Sequence, residues 1–394
     1  MIGLVLYLFG FGFLLLVSIL LSKLSSFIGI PVLLVFLILG MLLGSDGIIH
    51  IYFDNYLLVQ YVSIVALIFI LFSGGLDTNI KKIRPVAISG ISLATIGVLI
   101  TAIATAIFIH LVLGIDLIVS LIIGSIISST DVAAVISIFK TSNIKLKNNL
   151  DYLLEFESAV NDPMANTLTI SFLYLLLHPT TSIFGVVLTL LKSLAFGSIM
   201  GYLSGKVSIK FINKIDLESK GLYPVLLIAI ALLSFACSDL IGGNGFLSVY
   251  VSSLLIGNSE LVSKKAQLNF FDGLAWLMQI IMFTVLGLLV FPSQLLGNLI
   301  ISLIIAFGLI VIARPIAIFV SLFKSKFNLR EKIFVSWTGI KGAVPIVFAT
   351  YPLVEGIPQA LTIFNIVFFI TLISVILQGS TIKLLSKKLN LVDE

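Results

Sequence analysis

The feature that most constrains this chain is a series of long apolar runs that recurs along its whole length. A helix that crosses a lipid bilayer needs about 20 mostly apolar residues, and thirteen runs meet this requirement if some are allowed to be short or interrupted. The predicted spans are residues 2–22, 29–44, 56–76, 86–110, 117–139, 152–177, 182–205, 222–240, 245–258, 272–291, 297–323, 332–351 and 361–382. Only 10% of the residues are charged, against about 25% in soluble domains. We therefore predict an all-α membrane protein that forms a single membrane domain over residues 1–394.

The basic residues lie on alternate sides of these spans. Of the 23 Lys and Arg residues, 20 fall in one alternating set of loops and in the C-terminal segment, and the opposite loops contain none. Because cytoplasmic loops carry an excess of Lys and Arg, we predict that the protein lies in the cell (inner) membrane. Its C-terminus should be cytoplasmic and its N-terminus on the outer side of that membrane. The remaining three fall inside predicted spans and are Lys192, Arg314 and Lys341. The net charge of +5 thus has a membrane explanation, and nucleic acid is not expected as a partner.

Three acidic side chains lie near the middle of predicted spans, where an ionisable group costs roughly 2.5–3.5 kcal/mol on insertion scales. They are Asp131 in span 5 and Glu157 and Asp162 in span 6. In span 6, Glu157 and Asn161 are four residues apart, as are Ser158 and Asp162, so the members of each pair are neighbours on a helix. Pro163 removes a backbone hydrogen bond and leaves a carbonyl oxygen free near Asp162. A functional site is the default interpretation of such groups, and a structural ion pair is the alternative.

Two predicted spans are interrupted near their middles. In span 5 three hydroxyl residues precede Asp131, namely Ser128, Ser129 and Thr130. Span 12 is interrupted by Gly339, Lys341, Gly342 and Pro345. These spans are seven apart in order and so cross in opposite directions, and two broken helices at matching places in inverted halves indicate the binding site of a secondary transporter. Asp131 could neutralise positive helix N-termini and Lys341 negative C-termini. A packing kink is the alternative for span 12.

The polar groups of spans 5 and 6 suit a monovalent cation. A cation that enters the membrane must replace its water shell with oxygen ligands, and Asp162, Thr130 and Ser158 offer them. The three histidines (His50, His110 and His178) lie at the outer ends of spans, so a transition-metal site is not expected. A bare carboxylate is unfavourable in hydrocarbon, so Asp162 should hold either a proton or a cation when it changes sides. We therefore predict one-for-one, electroneutral exchange without a cofactor.

Several separated motifs resemble one transporter family. The stretches "STD" in span 5, "ESxxNDP" in span 6 and "GxKGAVPI" in span 12 resemble the NhaP-type monovalent cation:proton antiporters. Three longer stretches are similar to the potassium/proton branch of that family: "GIPVLLVFLILGMLLGSDG", "NFFDGLAWLMQIIMFTVLGLLVFP" and "NLREKIFVSWTGIKGAVPIVFATYP". The resemblance covers most of the chain, from about residue 20 to residue 382.

The resemblance implies thirteen helices in an inverted-repeat antiporter fold, with spans 5 and 12 as crossed broken helices, and a homodimer in membrane lipid. It implies a scaffold of about residues 1–80 and 182–291 and a transport core of about residues 86–177 and 297–382. Relatives often carry a soluble domain after the last helix, and none is expected within this chain. The roles implied for site residues are cation and proton binding in turn at Asp162, further coordination by Thr130, Asp131 and Ser158, hydrogen bonding by Asn161, and an ion pair between Glu157 and Arg314.

The predicted function is secondary active exchange of a monovalent cation for a proton. Potassium is favoured by the branch resemblance, and sodium is the alternative. A proton-independent cation channel is a different class, but no filter-like run is present. An organic-anion symporter would also use crossed broken helices, yet it need not have a central buried acid. An enzyme is not predicted, because no nucleophile–base or metal-ligand set is found in the sequence.

Overall fold

The computed structural model describes residues 2–28, 32–131 and 145–392, and in these ranges the chain is helical apart from connections and one isolated β-bridge. The principal helices are α1 (Ile2–Ile28), α2 (Val32–Leu43), α3 (Tyr56–Asp77), α4 (Ala87–Leu113), α5 (Leu117–Ile126), α6 (Leu150–Leu177), α7 (Ile183–Lys214), α8 (Leu222–Leu240), α9 (Gly245–Gly257), α10 (Lys264–Leu288), α11 (Leu299–Ser321), α12 (Leu329–Trp337), α13 (Ala343–Val354) and α14 (Ala360–Lys388). Short helical turns occupy the connections Ile80–Ile83 and Pro292–Leu295.

The apolar helices have the length and composition of an all-helical membrane protein. Within the described ranges, seven helices are long and apolar enough to cross a membrane: α3, α4, α7, α8, α10, α11 and α14. Shorter apolar segments are Leu8–Lys23 in α1 and the helices α2, α5, α9 and α13. The count of thirteen spans stays a prediction, because the short helices do not reach spanning length. Residues 132–139 of predicted span 5 lie outside the described residues.

Several helices are longer than the apolar runs that predicted them. Helix α7 continues to Lys214 rather than residue 205, α14 continues to Lys388 rather than residue 382, and α10 begins at Lys264 rather than residue 272. The apolar run reports the thickness of the hydrocarbon layer, whereas Lys and other good helix formers continue the backbone hydrogen bonds beyond it. Helices α4 and α11 each include a π-helical stretch, Leu93–Gly97 and Gly308–Ala313, which hydropathy cannot reveal.

Both interrupted spans lose their helical backbone near their middles, but Pro345, predicted to interrupt span 12, lies in the first turn of α13, where a helix tolerates proline. Helix α5 ends at Ile126 and residues 127–131 are not helical, while residues 338–342 separate α12 from α13. The two stretches meet, because the backbone N–H of Asp131 donates to the carbonyl of Ile340 at 2.8 Å. Helix α14 satisfies two further groups: the Gln378 amide donates to the Trp337 carbonyl at 2.7 Å, and the Lys341 N–H donates to Ser374 Oγ at 2.9 Å. Protein groups thus replace the hydrogen bonds that lipid cannot supply.

The helices form two sets of contacts. In one set α3 packs against α9 and α10, α10 against α2, and α9 against α7. In the other set α5 packs against α4 and α6, and α11 against α4 and α14. The α7–α9 contact is close because Gly197, Gly201 and Gly205 are four residues apart on α7 and face α9. A Cβ on Gly201 would lie 2.7 Å from the carbonyl oxygen of Ser248, so small residues set the distance between these two helices.

Three helices are tied together at the end of the molecule that carries the basic loops. Leu146, just before α6, forms an antiparallel β-bridge with Val392, and the Lys147 N–H donates to the Leu391 carbonyl at 2.9 Å. The Asn148 amide donates to Glu331 Oε1 of α12 at 2.5 Å. The start of α6, the first turn of α12 and the segment after α14 are therefore in direct contact.

At the opposite end, a side chain joins two connections. Asp46 follows α2, and its Oδ2 accepts hydrogen bonds from the backbone N–H of Ser293 at 2.9 Å and from Ser293 Oγ at 2.6 Å. Ser293 lies between α10 and α11. These hydrogen bonds hold the pKa of Asp46 below its ordinary value of 3.8, because they stabilise the ionised carboxylate.

Candidate functional site

Helix α6 carries four polar side chains into the protein interior. Glu157, Ser158, Asn161 and Asp162 are all buried, and Asp162 is 7% exposed. The helix runs without interruption from Leu150 to Leu177 although Pro163 lies in its middle. The i to i+4 spacing brings Ser158 and Asp162 onto neighbouring positions of the helix. The structure therefore places these four residues of the predicted site on consecutive turns of one buried helix.

The non-helical stretch after α5 supplies hydroxyl groups to this helix. Ser129 Oγ donates to Asp162 Oδ1 at 2.5 Å. Thr130 Oγ1 lies 2.9 Å from Ser158 Oγ and accepts a hydrogen bond from the Asn161 amide at 2.5 Å. Thr130 thus links two side chains of α6, one turn of the helix apart.

Asp131 lies beside the start of α13. A Cβ on Gly342 would be 1.8 Å from Asp131 Oδ2, so the carboxylate can occupy this position only because residue 342 is glycine. Gly342 immediately precedes Ala343, the first residue of α13, and a helix N-terminus favours a negative charge. Asp131 therefore lies next to the N-terminal end of α13.

Lys341 is buried at the end of α5. Its Nζ donates to the carbonyl oxygens of Ser129 at 2.9 Å and Ser128 at 3.3 Å, and only 1% of the residue is exposed. These carbonyls belong to non-helical residues directly after α5, so α5 supplies no N–H partner for them, and they lie at the C-terminal end of the helix dipole. A positive charge is favourable there. Lys341 therefore stabilises the backbone stretch that carries Ser129 and Thr130.

The ion pair implied for Glu157 and Arg314 is present in the geometry. Arg314 Nη2 donates to Glu157 Oε1 at 2.5 Å, and both side chains are buried. A Cβ on Gly339 would lie 2.7 Å from Arg314 Nε, so the broken stretch of span 12 leaves room for the guanidinium. Arg314 therefore binds Glu157, which precedes Asp162 by five residues on α6, and does not bind the Asp162 carboxylate.

Asp162 and its neighbours line a cavity of about 80 Å³, which we call the site cavity. Thr130, Asp131, Ser158 and Asp162 form one wall of it. The other wall comes from α3, α9 and α10 and includes Leu71, Gly74, Tyr250 and Gln279. The site cavity therefore lies between the two sets of packed helices. Its polar ligands are carboxylate, hydroxyl and amide oxygens, which suit a proton or a hard cation.

Two residues at this site were not predicted. The sequence shows Ser129 only as one of three hydroxyl residues, because a helical period cannot say which side chain of a non-helical stretch faces Asp162. Asn244 caps α9, where its Oδ1 accepts from the Leu247 N–H, and its amide donates to Pro163 O and Thr167 Oγ1 of α6, each at 2.9 Å. An Asn before an apolar run is a helix-start signal, but that signal does not name the partner.

The chain is similar in sequence to known proteins over most of its length. The family model described as "Sodium/hydrogen exchanger, transmembrane" matches residues 12–388. The chain is 40% identical over 380 residues to the K(+)/H(+) antiporter NhaP of Alkalimonas amylolytica, with 96% of this chain and 66% of that protein covered. It is 40% identical over 370 residues to the K(+)/H(+) antiporter NhaP2 of Shewanella baltica, with 93% and 64% covered. The chain therefore spans slightly less than two thirds of the length of these relatives.

A solved structure resembles the whole fold. It is the sodium proton antiporter MjNhaP1 from Methanocaldococcus jannaschii at pH 8, with a TM-score of 0.85 and 27% sequence identity. The match covers 98% of this chain and 99% of the solved chain. The similarity thus extends over both sets of packed helices and the cavity between them.

Proposed function

Because the chain belongs to the sodium/hydrogen exchanger family, we propose that it exchanges a monovalent cation for a proton across a cell membrane. The observation that carries this proposal is the buried carboxylate of Asp162, which lies on the site cavity and accepts a hydrogen bond from Ser129. The named relatives are antiporters, which supports transport rather than an enzymatic reaction. Residues of this chain perform the exchange without a prosthetic cofactor.

Asp162 binds the cation and the proton in turn. An ionised carboxylate without a partner is unfavourable inside the membrane, so the site changes sides only when a proton or a cation occupies it. Thr130, Ser158 and Asp131 contribute further oxygen ligands, and Asn161 holds Thr130 in place. One carboxylate neutralised by one cation or one proton makes the exchange one-for-one and electroneutral.

Potassium is the cation that we propose first, and sodium is the second candidate. The names of both 40%-identical relatives state K(+)/H(+) exchange, which supports potassium. The name of the solved structural relative states sodium and proton exchange, which favours sodium at the lower identity of 27%. Ion radius is read by small differences in ligand position, so a transport assay decides between the two.

The architecture that we propose follows the two sets of packed helices. Residues 1–80 and 182–291 form a scaffold, and residues 86–177 and 297–382 form a transport core. Thirteen spans place the N-terminus outside and the C-terminus in the cytoplasm, and the broken spans 5 and 12 cross beside Asp162. Alternating access moves the core against the scaffold. The scaffold forms a homodimer in the lipid bilayer.

The experiment that tests the proposal is exchange in proteoliposomes. A pH gradient is imposed, and potassium, sodium, lithium or rubidium is then added in turn while internal pH is followed. The wild-type chain is expected to move protons when its cation is added, and to do so at the same rate when an ionophore clamps the membrane potential at zero. A rate that follows the membrane potential would contradict electroneutral exchange.

The first prediction is that Asp162→Asn abolishes this exchange while the protein remains folded. The amide of asparagine has no charge and takes up neither the proton nor the cation, so it cannot exchange one for the other. Asp151→Asn makes the same chemical change in the first turn of α6, away from the site cavity, and should retain exchange. Cation-driven proton flux in the Asp162→Asn variant would contradict the assignment.

A further inference from the structure

A second cavity lies on the other side of Asp162. It has a volume of about 490 Å³, and we call it the far cleft. Its lining includes Asn166, Thr167 and Ser171 of α6, Asn244 before α9, and Tyr351 and Glu355 near the end of α13. Asp239 at the end of α8 also lines it, and the described lining residues include no Lys or Arg. The far cleft therefore contains many polar groups, and the formal charges of its described lining are negative.

The two cavities lie towards opposite ends of α6. Ser158 of the site cavity precedes Asp162 by one turn, towards the basic loop that contains Lys147. Asn166 and Ser171 of the far cleft follow Asp162, towards the end of α6 at Leu177. About one turn of helix, from Asp162 to Asn166, thus separates them.

The side chain of Asn244 holds this turn. Its Nδ2 donates to the Pro163 carbonyl and to Thr167 Oγ1, each at 2.9 Å, and the residue is 4% exposed. We call this pair of hydrogen bonds the Asn244 contact. Because Pro163 is bonded directly to Asp162, the Asn244 contact lies one residue from the carboxylate that binds the transported ion.

The backbone and the side-chain oxygen of Asn244 are bonded to α7 and α9. Its backbone N–H donates to the Ser193 carbonyl of α7 at 2.8 Å, and its Oδ1 accepts from the Leu247 N–H at 2.8 Å. A Cβ on Gly197 would lie 2.7 Å from the Asn244 carbonyl oxygen, so α7 packs directly on this residue. Asn244 therefore belongs to the α7–α9 side of the molecule and reaches across to α6.

We propose that the Asn244 contact closes the far cleft against Asp162 and stabilises the state in which Asp162 faces the site cavity. This inference rests on the proposed function, because a change of access requires α6 to move against α9. The two hydrogen bonds must break in that movement, since both join the two sides. Asn244 is thus a positioning residue that sets the ratio of the two access states.

The test separates this contact from the helix cap. Asn244→Ser keeps a hydroxyl that can cap α9, but the shorter side chain cannot reach Pro163. Losing the two hydrogen bonds should change the ratio of the access states about tenfold. An apparent affinity scales with the fraction of protein in the competent state. Two cation KM values can be measured, one on the membrane face of the far cleft and one on the opposite face. In Asn244→Ser the first should fall relative to the second, so that their ratio changes about tenfold.

Everted and right-side-out vesicles give the two KM values, and a matched variant controls for stability. Asn258→Ser removes amide hydrogen bonds to Thr78 O and Leu254 O at the other end of α9, where both partners belong to the α3–α9 side. It should lower the amount of folded protein without changing the KM ratio. An Asn244→Ser variant that lowers only the maximal rate would overturn the proposal. If that variant does not fold, Thr167→Val removes one of the two partners, and an unchanged KM ratio there has the same meaning.

A labelling experiment keeps this inference apart from the transport proposal. Asn166 lines the far cleft but is only 7% exposed, so a thiol at this position is shielded while the Asn244 contact is formed. It is introduced as Asn166→Cys in a chain whose one cysteine is removed by Cys237→Ser. A membrane-impermeant maleimide should react with it about tenfold faster when Asn244→Ser is also present. If Asn244→Ser speeds the labelling but the wild-type chain exchanges no cation, the proposed function is rejected and the role of the Asn244 contact is retained. Exchange with unchanged labelling would reject the contact alone.

Discussion

At the residue scale, the Asp162 carboxylate depends on groups that come from a different part of the chain. Its position on α6 could be predicted, because an acid in the middle of an apolar run is conspicuous and helical spacing places it near Ser158. The donor to Asp162 could not be predicted. Residues 127–131 are not helical, so no periodic rule decides whether Ser128, Ser129 or Thr130 faces the carboxylate.

Ser129→Ala should weaken cation binding. The hydroxyl donates to Asp162 at 2.5 Å and stabilises the ionised carboxylate, the form that binds the cation in the proposed exchange. A hydrogen bond to a charged group is worth about 1.5–3 kcal/mol, so the cation KM at constant pH should rise about tenfold or more. Cation titrations in proteoliposomes measure this change. Ser129→Thr keeps the hydroxyl as a control, and an unchanged KM in Ser129→Ala would show that this hydrogen bond does not support the bound state.

Arg314→Met should destabilise the fold, because it leaves Glu157 as a buried charge without its partner. Removing one member of a buried ion pair costs about 3–5 kcal/mol. Replacing both members, as in Arg314→Met with Glu157→Leu, should restore most of the stability, since a buried pair and apolar side chains of similar volume are often equivalent. Thermal unfolding in detergent compares the three proteins. If Arg314→Met melts at the wild-type temperature, the ion pair does not stabilise the fold.

At the element scale, close contact between α7 and α9 depends on glycines at every fourth position of α7. Gly201→Leu should lower the melting temperature, because even a Cβ at this position would be 2.7 Å from the Ser248 carbonyl oxygen. Overpacking of this kind costs about 1–3 kcal/mol or more. Gly12→Leu on α1 is the matched control, since a Cβ there meets nothing within 4 Å. Equal melting temperatures for the two variants would contradict the role of these glycines in the α7–α9 contact.

The breaks in the helices were easier to predict than the ends. Glycine weakens the interior of a helix, and the interruption at residues 338–342 appears where span 12 carries Gly339 and Gly342. Proline is a weaker guide, because α6 continues through Pro163 and Pro345 lies inside α13. The ends of α7, α10 and α14 lie beyond their apolar runs, because lysines continue a helix into the polar layer. The π-helical stretches of α4 and α11 depend on tertiary packing, which no local pattern contains.

At the scale of the whole molecule, the hydrogen bonds from Ser293 to Asp46 predict a pH-dependent stability. The pKa of Asp46 is lowered in the folded protein, so its contribution is present above the ordinary pKa and is lost as pH falls through the lowered value. Asp46→Asn should therefore lower the melting temperature slightly at pH 7, and the difference from wild type should disappear in acid. Ser293→Ala should show the same trend, and a difference that grows towards low pH would contradict it.

The family and the all-helical membrane fold could be predicted from the sequence, and the match over residues 12–388 confirms the family. Apolar runs and basic loops report the membrane directly, because hydrocarbon excludes charge over a fixed thickness. The contact of Asn244 with α6 could not be predicted in the same way. It joins residues about 80 positions apart, and only the packing of α7, α9 and α6 brings them together.

The β-bridge between Leu146 and Val392 has a practical consequence for anyone who labels this protein. A fluorescent protein or affinity tag fused after residue 392 is attached beside the first turn of the helix that carries Asp162. A bulky domain fused there is expected to disturb the bridge and, through it, the start of α6. Measurements that test the proposed exchange are therefore better made with a cleavable fusion.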